Sequence, residues 1–163
     1  MPVTEITKDP GALTMTVTAE FAADPARVWR LYEDPRQLER WWGPPGWPAT
    51  FLRHELTPGG GSHYFMQGPD GTRSYGVWSV REVDSPRSFG VGDAFSDADG
   101  NVNEEMGWAR MDVALAPGGA GTVVTAVSTF ASAEQMETML GMGMEEGMRQ
   151  AMDQMDGILA ESA

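Results

Sequence analysis

Residues 21–51 run FAADPARVWRLYEDPRQLERWWGPPGWPATF. Two Asp-Pro pairs, Asp24-Pro25 and Asp34-Pro35, stand ten residues apart. An Asp carboxylate accepts the free N–H groups of a first helical turn, and proline suits the first helical position because its missing N–H would be unpaired there. The pairs therefore predict two short helices, over 25–33 and 35–42. Gly43-Pro44-Pro45-Gly46 stops the second, since neither proline can continue a helix. Trp41 and Trp42 fall at that stop, and Trp47 just past it.

Working outward, ALTMTVTAE at 12–20 alternates with β-branched residues and predicts a strand. Residues 1–11 carry no such pattern and are expected to form a tail ahead of one domain spanning 12–163. Downstream, turn chemistry divides six further strand candidates: 49–56, 62–67, 73–83, 87–95, 107–116 and 122–130. The dividers are Pro58-Gly59-Gly60-Gly61, Pro69-Asp70-Gly71, Asp84-Ser85-Pro86, an acidic stretch from Ser96 to Glu105, and Pro117-Gly118-Gly119-Ala120-Gly121. Ser132-Ala133-Glu134-Gln135 fits a capping box, with Gln135 placed to reach back to the cap, and opens a helix running to about 160. Met136, Leu140, Met144, Met148, Met152, Met155 and Ile158 share one broad apolar face of it. Met139, Met142 and Glu137 fall off that stripe, which predicts a shift or bend.

Consecutive strands joined by tight turns make an antiparallel sheet, and one amphipathic helix must bury its stripe on it. The expectation is a two-layer α+β domain with the two short helices covering one end.

The chain has 163 residues, no cysteine, two histidines and a formal net charge of -13. Disulfides, thiolate chemistry, Cys-ligated zinc and iron–sulfur clusters are excluded, and no cofactor is implied. The charge repels nucleic-acid phosphates and anionic lipids. No apolar run reaches the roughly 20 residues that span a bilayer, and the N-terminus lacks the features of a signal peptide. The expected partner is a small hydrophobic ligand, without nucleic acid or membrane insertion, in a cytoplasmic protein.

Four segments together resemble the START-like, or helix-grip, superfamily, whose fold is also that of the birch pollen allergen. They are ADPARVWRLYEDPRQLERWWGPPGW at 23–47, LTPGGGSHYFMQGPDG at 56–71, DAFSDADGN at 93–101 and GMEEGMRQAMDQM at 143–155. The chain is most similar to the branch related to activators of the heat-shock-protein ATPase. The resemblance implies a curved antiparallel sheet gripping the C-terminal helix, with a cavity between them. It also leaves open a homodimer or chaperone contact, and an enzyme of polyketide-cyclase or hydrolase type. Relatives often carry an aromatic where His63 stands, a long apolar residue at Gln67 and Trp at Met148, so the interior here is expected to be smaller or more polar. The SFGVGDAF run at 88–95 looks one residue longer than usual, which suggests a bulge before Asp93.

Aromatic and Met side chains available to a cavity are Trp42, Phe51, Phe65, Tyr75, Trp78, Phe89, Phe95, Trp108, Met111, Met144 and Met148. Strand 73–83 does not alternate cleanly, so whether Tyr75 or Trp78 points inward stays open. Trp41 reads as core, whereas Trp42 and Trp47 fit either a plug or a pocket mouth. Seven of the twelve methionines lie between 136 and 155, a composition suited to an adaptable apolar wall as well as to a plain core. Gly141, Gly143 and Gly147 interrupt this helix, and a bend over the cavity or a close approach to the sheet would explain them.

His63 shares a strand face with Phe65 and Gln67. If Phe65 points inward, His63 and Gln67 are polar groups of the cavity, and His63 is the one candidate acid or base. The competing reading is a histidine bonded to backbone or water. His54, between Arg53 and Glu55, is expected to be exposed. Asp93, Asp97, Asp99, Asn101, Glu104 and Glu105 read as a solvated acidic loop, their spacing unlike a calcium loop, with no metal site.

Overall fold

A computed structural model describes residues 2–161. Eight antiparallel strands form one open sheet: β1 (Val3–Asp9), β2 (Thr14–Phe21), β3 (Ala49–His54), β4 (Gly61–Gln67), β5 (Arg73–Asp84), β6 (Ser88–Ser96), β7 (Ala109–Gly118) and β8 (Gly121–Thr129). Their order is β1-β2-β8-β7-β6-β5-β4-β3. β3 to β8 follow one another as neighbours, as tight turns require. The chain must cross from β2 to the far edge at β3, and the two Asp-Pro helices make that crossing.

Those helices are α1 (Pro25–Glu33) and α2 (Pro35–Leu38). Asp24 and Asp34 cap them as expected, accepting the Arg27 and Arg36 amides at 2.9 Å each. The second helix is shorter than its predicted span to 42, because residues 39–43 turn toward the Pro-Pro stop. Residues 3–9, expected to belong to a tail, are the edge strand β1. It pairs with β2 and is tied to the helix layer by a Lys8–Glu145 ion pair of 2.6 Å. Only Val3 and Ile6 are apolar in this strand, too few to give a readable alternation.

The C-terminal helix has three pieces: α3 (Ala133–Gly141), α4 (Met144–Asp153) and α5 (Met155–Glu161). Ser132 caps α3 by accepting the Gln135 amide at 3.0 Å. Gln135 reaches back one residue beyond the cap, to the Ala131 N–H at 2.7 Å. The expected bend falls at Met142-Gly143, where Gly143 takes φ 89°, a left-handed conformation costly for other residues. Gly141 and Gly147 have open space where a Cβ would stand, so close approach to the sheet does not explain them.

The end beneath α1 and α2 is filled by rings. Trp41 is 1% exposed and donates its indole N–H to Leu31 O at 2.9 Å. Tyr32 meets it edge-on at 5.0 Å, Trp42 packs beyond it at 5.6 Å, and Trp42 contacts Trp78 at 5.1 Å. Gln154, between α4 and α5, donates to Trp41 O at 3.2 Å and Gly43 O at 2.8 Å. The Trp-Trp-Gly-Pro-Pro-Gly turn is thereby fastened to the C-terminal helix. Among the described residues no helix is long and apolar enough to cross a membrane.

Candidate functional site

A cavity of about 340 Å³ lies between the sheet and the α3–α4 junction. Its sheet wall is Tyr64 and Met66 of β4, Asp93, Ala94 and Phe95 of β6, Ala109 to Met111 of β7, and Ser128 of β8. Its helix wall is Met139, Met142, Gly143, Met144, Gly147, Met148 and Ala151, and Trp42 with Pro44 closes one end. Met142, 62% exposed, stands at the rim. The break at Gly143 turns Met139 and Met142, both off the regular helical stripe, toward this space.

The sheet wall is set by strand parity. On β4, Ser62, Tyr64 and Met66 face the helices, and His63, Phe65 and Gln67 face outward, the reverse of the expected arrangement. Burial alone could not decide it, since Tyr64 is 8% exposed and Phe65 9%. Phe65 is covered from outside by the Arg73 guanidinium, 4.1 Å above its ring, and by Tyr75 at 5.4 Å. Arg73 also donates to Gln67 at 2.9 Å. His63 packs against Tyr75 at 5.8 Å, and its Nε2 lies 3.4 Å from Asp97 O. On β5 it is therefore Trp78 that points inward and Tyr75 outward.

The other candidates divide the same way. Trp42, Phe95, Met111, Met144 and Met148 stand on the cavity wall. Phe51, Trp78 and Phe89 belong to the ring core: Phe51 stacks on Tyr64 at 4.9 Å and Trp78 on Phe89 at 6.1 Å. Trp108 is 39% exposed and lies across Gly92 on the outer face, and Trp47, 37% exposed, lies over Gly68.

His54 is not exposed but half-buried. Its Nδ1 meets Ser62 Oγ and its Nε2 meets Tyr32 O, both at 2.7 Å. Burial holds its pKa below the ordinary value despite the Tyr32 carbonyl and nearby Asp34 and Glu33. It pins β3 and β4 to α1 rather than serving the cavity.

The expected bulge before Asp93 is absent from β6, whose register runs unbroken; the irregularity lies on β5, between Val80 and Glu82. Asp93 is consequently not a loop residue. It continues the inward series Phe89, Val91, Asp93, Phe95, and alternation from Phe89 and Phe95 was the signal that would have placed it. Across the sheet it faces Trp78 and Ala109. Burial pushes its pKa up to about 7, only partly offset by the Ala94 amide and by the Tyr64 hydroxyl. Burial, and then the Asp93 charge, hold the Tyr64 phenol well above its usual range. The indole N–H of Trp42 is buried without a hydrogen-bond partner. Arg110 brings no positive charge inside, because its guanidinium is bound by Asp112 at 2.8 Å and by Glu82 on the outer face. Asp97 instead organises its own loop, accepting the Asp99 and Asn101 amides at 2.9 Å each.

The architecture has solved counterparts. A Mycobacterium smegmatis protein, Ms6760, is 44% identical with a TM-score of 0.92, over 99% of this chain and 100% of that one. An Arthrobacter aurescens protein is 49% identical with a TM-score of 0.93, over 98% and 92%. A Rhodobacter sphaeroides protein is 25% identical with a TM-score of 0.83, over 96% and 99%. Among curated proteins no relative matches. Residues 22–160 match the family described as activator of Hsp90 ATPase homolog 1-like protein, and the chain belongs to that family, within the START-like superfamily.

Proposed function

We propose that this member of the activator of Hsp90 ATPase homolog 1-like family binds a small, mostly apolar or aromatic molecule between its sheet and α3–α4, without transforming it. The observation that carries this reading is the cavity itself. Its volume of about 340 Å³ falls in the ordinary range for small-molecule sites, and a few polar groups stand in an otherwise apolar, methionine-rich lining. Methionine side chains adapt to differently shaped occupants, so the helix wall favours a range of ligands over one rigid shape. His63 lends no support to an acid–base enzyme, because it faces away from this space. The family name brings a chaperone contact to mind, but the feature developed inside this fold is a pocket.

The test is binding of the neutral dye N-phenylnaphthylamine, followed by its fluorescence and by the melting temperature. Wild type should brighten the dye and melt higher in its presence. Met148→Trp fills the cavity and should abolish both effects while the fold persists. A wild-type protein that neither brightens the dye nor gains stability across a library of neutral apolar compounds would overturn the reading.

A further inference from the structure

We infer that Trp42, Tyr64 and Asp93 form a hydrogen-bonding subsite for the carbonyl oxygen of an otherwise apolar ligand; this rests on the binding reading above. All three residues line the cavity. Trp42 Nε1 can only donate, and it is buried without a well-formed hydrogen bond, the Tyr64 hydroxyl lying near it without closing one. A buried donor left unpaired is costly, and an oxygen atom brought by a ligand would satisfy it.

Tyr64 is held at this spot by a feature of the sheet. Its ring lies across Gly76, its neighbour on β5, where any Cβ would collide with the phenol. Glycine within a strand weakens it and often marks a close approach. Here the missing side chain lets the hydroxyl reach across β5 toward Asp93 on β6. Among the described residues Arg110 is the only basic one along the cavity wall, and its guanidinium is engaged outside, so none of them pairs Asp93 with a cation. An unpaired carboxyl in an apolar space favours its neutral form. In that form carboxyl and phenol share a proton chain with one donor left over for an incoming oxygen.

The donor character selects the ligand class. A carbonyl oxygen has two lone pairs and can receive the indole N–H together with the leftover acid or phenol O–H. An amine would pair with the carboxylate and leave the Trp42 N–H unsatisfied. A carboxylate ligand would bring a charge into an apolar cavity that offers it no cation, within a chain of net charge -13. A ketone or related carbonyl compound with an aromatic or aliphatic body is the class that meets both ends of the cavity.

The experiment compares acetylnaphthalene with its isopropenyl analogue, which replaces the carbonyl oxygen by a CH2 group of similar shape. Dissociation constants are measured by quenching of tryptophan fluorescence, with melting curves confirming that each variant folds. Wild type should bind the ketone roughly tenfold tighter than the analogue, the order expected of one net hydrogen bond. Tyr64→Phe removes only the hydroxyl and Trp42→Phe replaces the indole by a smaller ring without an N–H; each should erase most of that preference, read as the ratio of the two dissociation constants within the same variant. Equal affinities in wild type, or a preference that survives in the Tyr64→Phe/Trp42→Phe double variant, would overturn the subsite but leave the binding reading standing. If neither compound binds wild type, and N-phenylnaphthylamine does not either, the binding reading falls and this inference with it.

Discussion

The Tyr64 ring lies directly over Gly76: a Cβ at residue 76 would stand 2.5 Å from the phenol oxygen and 2.6 Å from Cζ. The ring cannot simply step aside. It stacks on Phe51 at 4.9 Å and meets Trp42 edge-on at 6.1 Å. Gly76→Ala should therefore destabilise the fold by about 1–3 kcal/mol, the usual range for overpacking a filled core. Urea unfolding measures it. In a Tyr64→Ala background the same substitution should cost little, because the obstructing ring is gone. Equal costs in both backgrounds would show that the clash is not with Tyr64.

Asp93 makes a prediction about pH. Its folded pKa is raised from 3.8 to about 7 by burial. The unfolded chain gives up this proton near pH 4, while the folded chain keeps it to about pH 7. Its contribution to stability therefore falls as pH rises through that window and levels off above it. Asp93→Asn has no such proton. The variant should gain on wild type steadily between about pH 4 and 7, by a few kcal/mol at most given the opening of the cavity to solvent. His54 works in the opposite sense, since its lowered pKa removes stability as pH falls below 6.5. It is present in both proteins, so the difference between their unfolding curves isolates Asp93. A difference that stays flat from pH 4 to 8 rules the buried acid out.

What could be foreseen from the sequence divides along physical lines. Capping and turn signals are local chemistry, and Asp24, Asp34, Ser132 and the Gly-Pro-Pro-Gly stop act where their sequence places them. The helix bend was visible in the drift of Met139 and Met142 off the apolar stripe. Strand parity on β4 was not, because Tyr64 and Phe65 are both large aromatics and almost equally buried. What distinguishes them is a cation over one ring and a glycine under the other, and both come from β5. Asp93 was hidden by its company: it opens an acidic run whose other members are solvated, and its own alternation with Phe89 and Phe95 was the competing signal.

His63 supplies a negative control with a stated outcome. It faces outward, its Nε2 3.4 Å from Asp97 O, at the edge of bonding distance. His63→Gln should shift the unfolding free energy by no more than about 0.5 kcal/mol, as surface substitutions do. Its affinity for N-phenylnaphthylamine should equal that of wild type. A large loss of dye binding in this variant would mean that strand β4 presents its other face to the ligand.

Gly147 separates stability from binding. It lies within α4, lines the cavity and has nothing within 4 Å of a prospective Cβ. Gly147→Ala should therefore stabilise the fold by about 1 kcal/mol through helix propensity. The added methyl occupies space at the helix wall, so the dye should bind more weakly even as the melting point rises. Tighter binding in the stabilised variant would argue that helix order, rather than room, limits the site.

Gln154 tests whether the aromatic turn depends on its link to the last helix. Its amide donates to Trp41 O and Gly43 O, at 3.2 and 2.8 Å, across more than a hundred residues of sequence. Gly43 precedes Pro44, which has no N–H of its own to offer a neighbouring carbonyl. Gln154→Met keeps the length and apolar stem but removes both donors. Leaving two partly buried carbonyls without this partner should cost about 1–3 kcal/mol in urea unfolding. Trp41 and Trp42 sit on the far side of that turn, and Trp42 closes one end of the cavity. The same variant should therefore weaken dye binding, whereas a purely local effect would lower stability and leave the dissociation constant where it was.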